Sequence, residues 1–266
     1  MEEKPRSCVI AHLSDLHCGS QYFVPNLLDR ALVEINELRP DVVILTGDLT
    51  AMGYRQEFRE ARGYVDRILC PNILVVPGNH DSRNVGYAHF DRLFASRDPI
   101  VRGEGVTVVG VDSTEPDLDN GRIGRHRYPT IRQAFLERPT DFKIFALHHH
   151  LLPIPGTGRE RNVVNDAGDV LEVLIECGVN LVLSGHKHVP YAWRLENMFV
   201  VNTGTVATLR LRGDTKPCYN VIRIEGERVL VTRQYPFHGG EPIIEFDAVT
   251  DVYVKNHHLT GVPEEE

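Results

Sequence analysis

Asp15 and His17, Asp48, Asn79 and His80, His148, and His186 with His188 each sit just after a short apolar run rich in β-branched residues. Such runs read as buried strands, so five strand ends deliver carboxylate, carboxamide and imidazole groups onto loops. Any one of these features is ordinary by itself. Gly47-Asp48 is a turn dipeptide, Asp-x-His is a common loop, and the run His148-His149-His150 can be a solvated stretch. Taken together they demand a separate coincidence at every strand end, whereas one metal centre accounts for all of them. In an extended segment residues i and i+2 face the same way, so Asp15/His17 and His186/His188 are each expected to present two donors to one cavity. Nitrogen and oxygen donors without thiolate favour Mn, Fe or Zn over a cysteine zinc site and over an all-oxygen Mg or Ca site. Even without His80, seven donors exceed the needs of one ion and suit two ions about 3.5–4 Å apart that share a carboxylate.

The elements that must position these groups follow a repeated order of strand, polar tip and helix. Strands are predicted at 7–13, 41–45, 73–76, 106–111, 142–147 and 181–183. Between them, Leu28, Ala31, Leu32, Ile35 and Leu38 follow helical spacing after Pro25, and Phe58, Ala61, Val65, Ile68 and Leu69 line a second helix. Shorter helices are predicted at 87–95 and 130–137. Another spans 167–177, capped by Asp166 before it and Gly178 after it. Continuous apolar strands joined through helices argue for parallel pairing with both faces covered, and ligands in such sheets collect at the carboxyl ends of the strands. Residues 112–128 read as a long polar surface loop. From Tyr191 the pattern alternates at 199–202, 219–224 and 229–235, which predicts a separate antiparallel second sheet. Residues 7–238 are taken as one domain and 239–266 as a C-terminal extension.

The formal net charge of −8 disfavours nucleic acid as a partner, since a phosphate backbone is repelled over most of the surface. No apolar run approaches the roughly 20 residues of a bilayer span, and the charged start leads into a run too short for a signal sequence, so a cytoplasmic chain without membrane attachment is expected. The five cysteines are an odd set without close pairs and read as reduced thiols. Homo-oligomerisation is left open.

Asp15-x-His17, Gly47-Asp48, Gly78-Asn79-His80-Asp81, His148 and Gly185-His186-x-His188 together resemble the calcineurin-like metallophosphoesterase superfamily, in its order and over roughly residues 8–205. The resemblance implies an α/β fold, a four-layer α/β/β/α sandwich of two mixed β-sheets flanked by helices. It also implies phosphoester hydrolysis, with a hydroxide shared by two ions attacking phosphorus. By the same resemblance Asp15, His17 and His188 hold one ion, Asn79, His148 and His186 the other, and Asp48 bridges. Within the histidine run, His150 shares side-chain parity with His148 and is its rival as a ligand, while His149 is expected to point away. His257-His258 is read as a solvated pair.

His80 and Asp81 are the candidate catalytic residues, His80 as general acid for the leaving oxygen and Asp81 beside it in a direction the sequence leaves open. A catalytic histidine needs an acceptor on its other nitrogen. The phosphoprotein phosphatase branch supplies one from GDxxDRG, but here Ala51 and Met52 stand in the Asp and Arg places. The GDLT block, the GNHD ending and the HHH run look more like class III cyclic-nucleotide phosphodiesterases and their glycerophosphodiesterase-like relatives. Arg83, Asn84, Arg159 and Arg161 are candidates to hold a phosphate. The favoured reading is a phosphodiesterase acting on cyclic nucleotides or similar small diesters. A phosphomonoesterase and a noncatalytic scaffold of the same fold are the alternatives.

Overall fold

The computed structural model describes residues 7–158 and 162–248, and the backbone of 253–255. The first half of the chain runs β1 (Ser7–Leu13), α1 (Pro25–Leu38), β2 (Val42–Thr46), α2 (Arg55–Val65), β3 (Ile73–Val76), α3 (Gly86–Phe94), β4 (Ile100–Gly103), β5 (Val106–Gly110) and α4 (Tyr128–Leu136). It continues through β6 (Phe142–Ala146), α5 (Ala167–Glu176), β7 (Leu181–Ser184), β8 (Tyr191–Leu195), β9 (Met198–Asn202), β10 (Tyr219–Glu225), β11 (Arg228–Tyr235), β12 (Gly239–Asp247) and β13 (Tyr253–Lys255). Two sheets form, in the orders β13-β12-β11-β10-β1-β2-β3 and β4-β5-β6-β7-β9-β8, and each mixes parallel with antiparallel pairs.

The strands are continuously apolar because both of their faces are covered. Alternate residues of β2 show this: Val42 and Ile44 point to a core shared with Val106, Ile144 and Leu181 of the other sheet, while Val43 and Leu45 pack under α1 and α2 with Leu28, Ile35 and Phe58. On the far side, Phe145 and Val182 meet α4 and α5 through Ile131, Phe135, Val170 and Leu174. Three apolar cores therefore separate four layers, helix, sheet, sheet and helix, the architecture implied by the motif resemblance.

The C-terminal strands do not make a sheet of their own. β10 pairs antiparallel with β1, and β9 pairs parallel with β7, so the alternating segments extend both sheets. Residues past 238 open with β12, which pairs with β11 and adds Ile243, Ile244 and Phe246 to the core between the sheets. Strand β4 had no counterpart in the sequence reading; it is a half-exposed edge strand hairpinned to β5. Helix α2 stops at Val65, leaving Leu69 73% exposed rather than on the apolar face. Asp166 makes no side-chain cap for α5. Its carboxylate instead accepts the backbone N–H groups of Ile123 and Gly124 and the Tyr128 hydroxyl, and so ties the 112–128 loop to α5. Among the described residues no helix is long and apolar enough to cross a membrane. All five cysteines are free thiols.

Candidate metal centre

The strand tips that carry the candidate ligands converge at the carboxyl ends of β1, β2, β3, β6 and β7. The backbone that brings them together is not extended. Asp15, His17, Asp48, His186 and His188 all have φ between 52° and 78°, a left-handed conformation unfavourable for residues with a side chain. Each such residue costs on the order of 1–3 kcal/mol and persists only where its surroundings impose it. The Asp15/His17 and His186/His188 pairs thus meet through tight left-handed turns beyond the strand ends at Leu13 and Ser184, not through strand parity. Backbone bonds hold these turns against each other: Asp15 and His17 donate their N–H groups to the carbonyls of Gly47 and Asp48, and His186 N–H donates to Asp15 Oδ2 at 3.0 Å. Close approach explains two glycines. A Cβ on Gly78 would sit 2.2 Å from Asp48 N and Oδ1, and one on Gly185 would sit 1.9 Å from Ser14 Oγ.

Two sets of donor atoms result. In the first, His17 Nε2 and His188 Nε2 lie 2.9 Å apart, with Asp15 Oδ1 at 3.2 Å from His188 and 3.7 Å from His17. His188 Nδ1 donates to the Arg210 carbonyl at 2.6 Å, which turns Nε2 toward this group. Asp15 Oδ1 is buried and lacks a hydrogen-bond donor. In the second set, Asn79 Oδ1 lies 3.1 Å from His148 Nε2 and 3.0 Å from His186 Nδ1, and the two ring nitrogens are 3.2 Å apart. His148 is aimed by its Nδ1–H bond to the Thr46 carbonyl at 2.6 Å. Asn79 is aimed by the bond from its Nδ2 to Asp119 Oδ1 at 3.2 Å. Asp48 stands between the sets: Oδ1 accepts the His80 N–H at 2.9 Å, and Oδ2 lies 3.4 Å from His148 Nε2 and 3.7 Å from His17 Nε2.

Lone pairs crowded this closely in a buried place repel unless positive charge lies among them. The ionisation of these groups expresses the same demand. Burial works against charge on Asp15 and Asp48, yet the facing histidines hold both carboxyls well below the usual range. Burial also opposes charge on His148, and the Asp48 and Asp15 carboxylates outweigh it, raising that imidazole to about 9. The pocket calls for positive charge at His148 Nε2, which a proton or a metal ion can supply. The orphaned Asp15 oxygen and the all-nitrogen-and-oxygen donor set fit cation binding, and these clusters are suitable for divalent metal.

The three consecutive histidines separate cleanly. His148 enters the second donor set. His149 turns away, with Nδ1 2.8 Å from Ser113 Oγ and Nε2 3.3 Å from the Asp119 carbonyl. His150 donates from Nε2 to the Gly185 carbonyl at 2.8 Å and lies outside both sets. Burial, foremost, holds His149 and His150 near 3 and 4 respectively, so both stay neutral at ordinary pH.

His80 finds its orienting acceptor in the backbone: its Nδ1–H donates to the Ala51 carbonyl, at the position where a side-chain acceptor is missing from the sequence. Asp81, grouped with His80 as a catalytic candidate, is turned into the protein with no exposed surface. Its Oδ2 accepts the N–H groups of Leu49 and Gly78, and Oδ1 accepts the N–H and hydroxyl of Thr50. Asp81 therefore clamps the 47–50 loop beneath the centre instead of facing the reacting groups. Burial and the nearby Asp48 charge push its carboxyl up to about 6 despite those four bonds. Asp81→Ala leaves four donors unpaired and is expected to lower stability by about 3 kcal/mol, read from the denaturant midpoint. A midpoint unchanged from the parent protein would mean that the clamp is unimportant.

A cavity of about 400 Å³ opens over both donor sets and is also lined by His80, Arg83, Asp119, Lys187, Arg210 and Arg212. Arg83 is thus at the site, bonded to Asp119 at 2.9 Å. Asn84 is not in that lining: its amide donates to the Met52 carbonyl at 2.8 Å, and it lines an adjoining depression that shares Arg83 and Asp119 with the cavity. Arg159, Arg161 and the His257-His258 pair lie outside the described residues. Asp119, Lys187, Arg210 and Arg212 join the lining although no sequence motif assigns them a role. The alternation Arg210-x-Arg212 and the Lys inside Gly185-His-Lys-His188 were visible signals, but nothing distinguishes Asp119 within a polar loop.

The sequence profile described as calcineurin-like phosphoesterase matches residues 8–190, a span containing every donor described above. The chain belongs to this family. Members use divalent metals, in keeping with the clusters described. The chain is 26% identical over 198 residues to a probable cyclic nucleotide phosphodiesterase of Rhodococcus erythropolis, covering 67% of this chain and 64% of that protein. It is 27% identical over 202 residues to a cAMP/cGMP dual specificity phosphodiesterase of Mycobacterium tuberculosis, covering 70% of this chain and 64% of that protein. The chain thus spans less than two thirds of the length of these relatives. Among solved structures, a purple acid phosphatase from yellow lupin seeds superposes with a TM-score of 0.66 at 13% identity, over 89% of this chain and 52% of that one. A dimetal phosphatase from Danio rerio superposes with a TM-score of 0.64 at 12% identity, over 93% of this chain and 98% of that one. These likenesses place the fold of this family member among metallophosphoesterases.

Proposed function

We propose that this family member is a binuclear-metal phosphodiesterase acting on cyclic nucleotides or similar small diesters. The observation that carries this reading is the pair of donor sets meeting at Asp48 Oδ2 on the floor of one cavity. In this reading Asp15, His17 and His188 would hold one ion, Asn79, His148 and His186 the other, and Asp48 would serve both. When bound, such a pair supplies positive charge for the phosphate oxygens and a water acidified toward neutral pH. The protein's own groups do the rest. His188 and His148 are fixed by carbonyls of Arg210 and Thr46, so the donor geometry exists before substrate arrives. His80, fixed at Nδ1 by Ala51, presents Nε2 to the cavity and, when protonated there, can give that proton to the leaving oxygen. Arg83, steadied by Asp119, stands at the rim to meet an anionic substrate. The named activities of the bacterial relatives support a diester over a monoester.

The test is an assay panel on the Mn-, Fe- and Zn-loaded protein with bis-p-nitrophenyl phosphate, p-nitrophenyl phosphate, 3′,5′-cyclic AMP and 2′,3′-cyclic AMP. Diesters are expected to turn over with the higher kcat/KM. A preference for the monoester would replace this reading with a phosphomonoesterase, and silence with every metal would favour a noncatalytic scaffold.

A further inference from the structure

Three cations in the cavity lining form no ion pair with a carboxylate among the described residues. Lys187 sits between the two histidines of the His186–His188 turn, and Arg210 and Arg212 alternate on the loop that follows Thr208. Among the described residues none of their side chains forms an ion pair, whereas Arg83, the other arginine of the lining, is held by Asp119. Only Asp48 and Asp119 bring carboxylates to the lining. Asp48 belongs to the donor sets, and Asp119 is occupied by Arg83 and Asn79.

The position of these cations is imposed. The Arg210 carbonyl accepts from His188 Nδ1 at 2.6 Å, and Leu209 N–H donates to the Tyr22 carbonyl at 2.9 Å, so the loop is fastened on both sides of the centre. In a chain of net charge −8, three cations without an ion pair gathered in one cavity run against the overall balance and point to an anion to meet them.

The scissile diester does not account for that anion. Two divalent ions offset by the carboxylates of Asp15 and Asp48 and by the attacking hydroxide would leave one positive charge, which the single negative charge of a phosphodiester already matches. Three cations, two of them arginine forks, suit a dianionic phosphate monoester better than another singly charged group. We propose that Lys187, Arg210 and Arg212 form a second anion subsite, and that the favoured substrate is a small diester carrying a further phosphate. This rests on the diesterase reading above and narrows its substrate class.

The test compares the dinucleotide ApA with its 5′-phosphorylated form pApA, which share one scissile diester and differ by the added phosphate. Calorimetric titration of the whole chain after chelation, and kcat/KM of the Mn-loaded protein, are both measured at fixed ionic strength. pApA is expected to bind at least about tenfold more tightly than ApA and to show a lower KM. In the Arg210→Ala/Arg212→Ala double variant the pApA:ApA ratio is expected to fall to within about twofold of one, and in Arg125→Ala it should stay at the parent value. Arg125 is an exposed residue paired with Asp169 away from the cavity. Equal binding of the two dinucleotides to the parent protein would overturn the subsite, as would a preference undiminished in the double variant. If bis-p-nitrophenyl phosphate is not hydrolysed while the binding preference is intact, the diesterase reading falls and the anion subsite stands.

Discussion

Asp48→Asn is expected to lower bound metal from about two ions per chain to at most one, and to cut turnover of bis-p-nitrophenyl phosphate by at least about 10³-fold. Asp48 divides its carboxylate between two tasks. Oδ1 receives the His80 N–H at 2.9 Å, while Oδ2 faces His148 on one side and His17 on the other. Asparagine keeps an oxygen for the first task and removes the shared negative charge needed for the second. The fold should therefore survive while the two donor sets lose the group they have in common. Metal analysis after gel filtration, with a melting curve alongside, checks both parts. Parental stoichiometry with parental activity would show that Asp48 is not a shared ligand.

His80→Ala is expected to keep both ions and lose about 10²- to 10⁴-fold in turnover. His80 is placed near His17 and Asp48, close enough for metal binding to be considered, and its ring meets that of His17 edge-on at 4.8 Å. Its Nδ1 is committed to the Ala51 carbonyl, so only Nε2 serves the cavity, and the metal count decides between ligand and acid. The leaving group gives a second measure. Proton donation helps a basic alkoxide more than a weakly basic nitrophenolate, so the loss should be larger on 3′,5′-cyclic AMP than on bis-p-nitrophenyl phosphate. An equal loss on both substrates, or the disappearance of one ion, would remove His80 from the acid role.

What the chain displays in one dimension is side-chain chemistry and short-range periodicity. Runs such as Val42–Thr46 and Leu181–Ser184 read as buried strands because both faces are apolar, and their polar tips stand out because acids, amides and imidazoles are unusual against such runs. The tips in their order resemble the metallophosphoesterase motifs, and that resemblance implied the four layers. Contacts between distant segments left no comparable trace. Nothing local in Tyr219–Glu225 says that it will pair with Ser7–Leu13 rather than start a sheet of its own, because register is chosen by the fit of the whole core.

Residue types at the ends of apolar runs marked the candidate metal ligands and their place at the carboxyl ends of strands. How they are aimed depends on packing between loops. The left-handed turns at Asp15, His17, Asp48, His186 and His188 are backbone conformations that their residue types do not favour, and packing of one loop on another imposes them. His80 is oriented by Ala51, His148 by Thr46 and His188 by Arg210, in each case through a carbonyl. Every residue carries a carbonyl, so no sequence pattern can mark which one will matter. The same holds for Asp81, whose place beside His80 in the sequence implied a catalytic neighbour, while the turn at 78–81 sends its carboxylate inward to four donors. The cationic lining of Lys187, Arg210 and Arg212 arises where two loops separated in sequence meet over one cavity, a meeting that folding alone supplies.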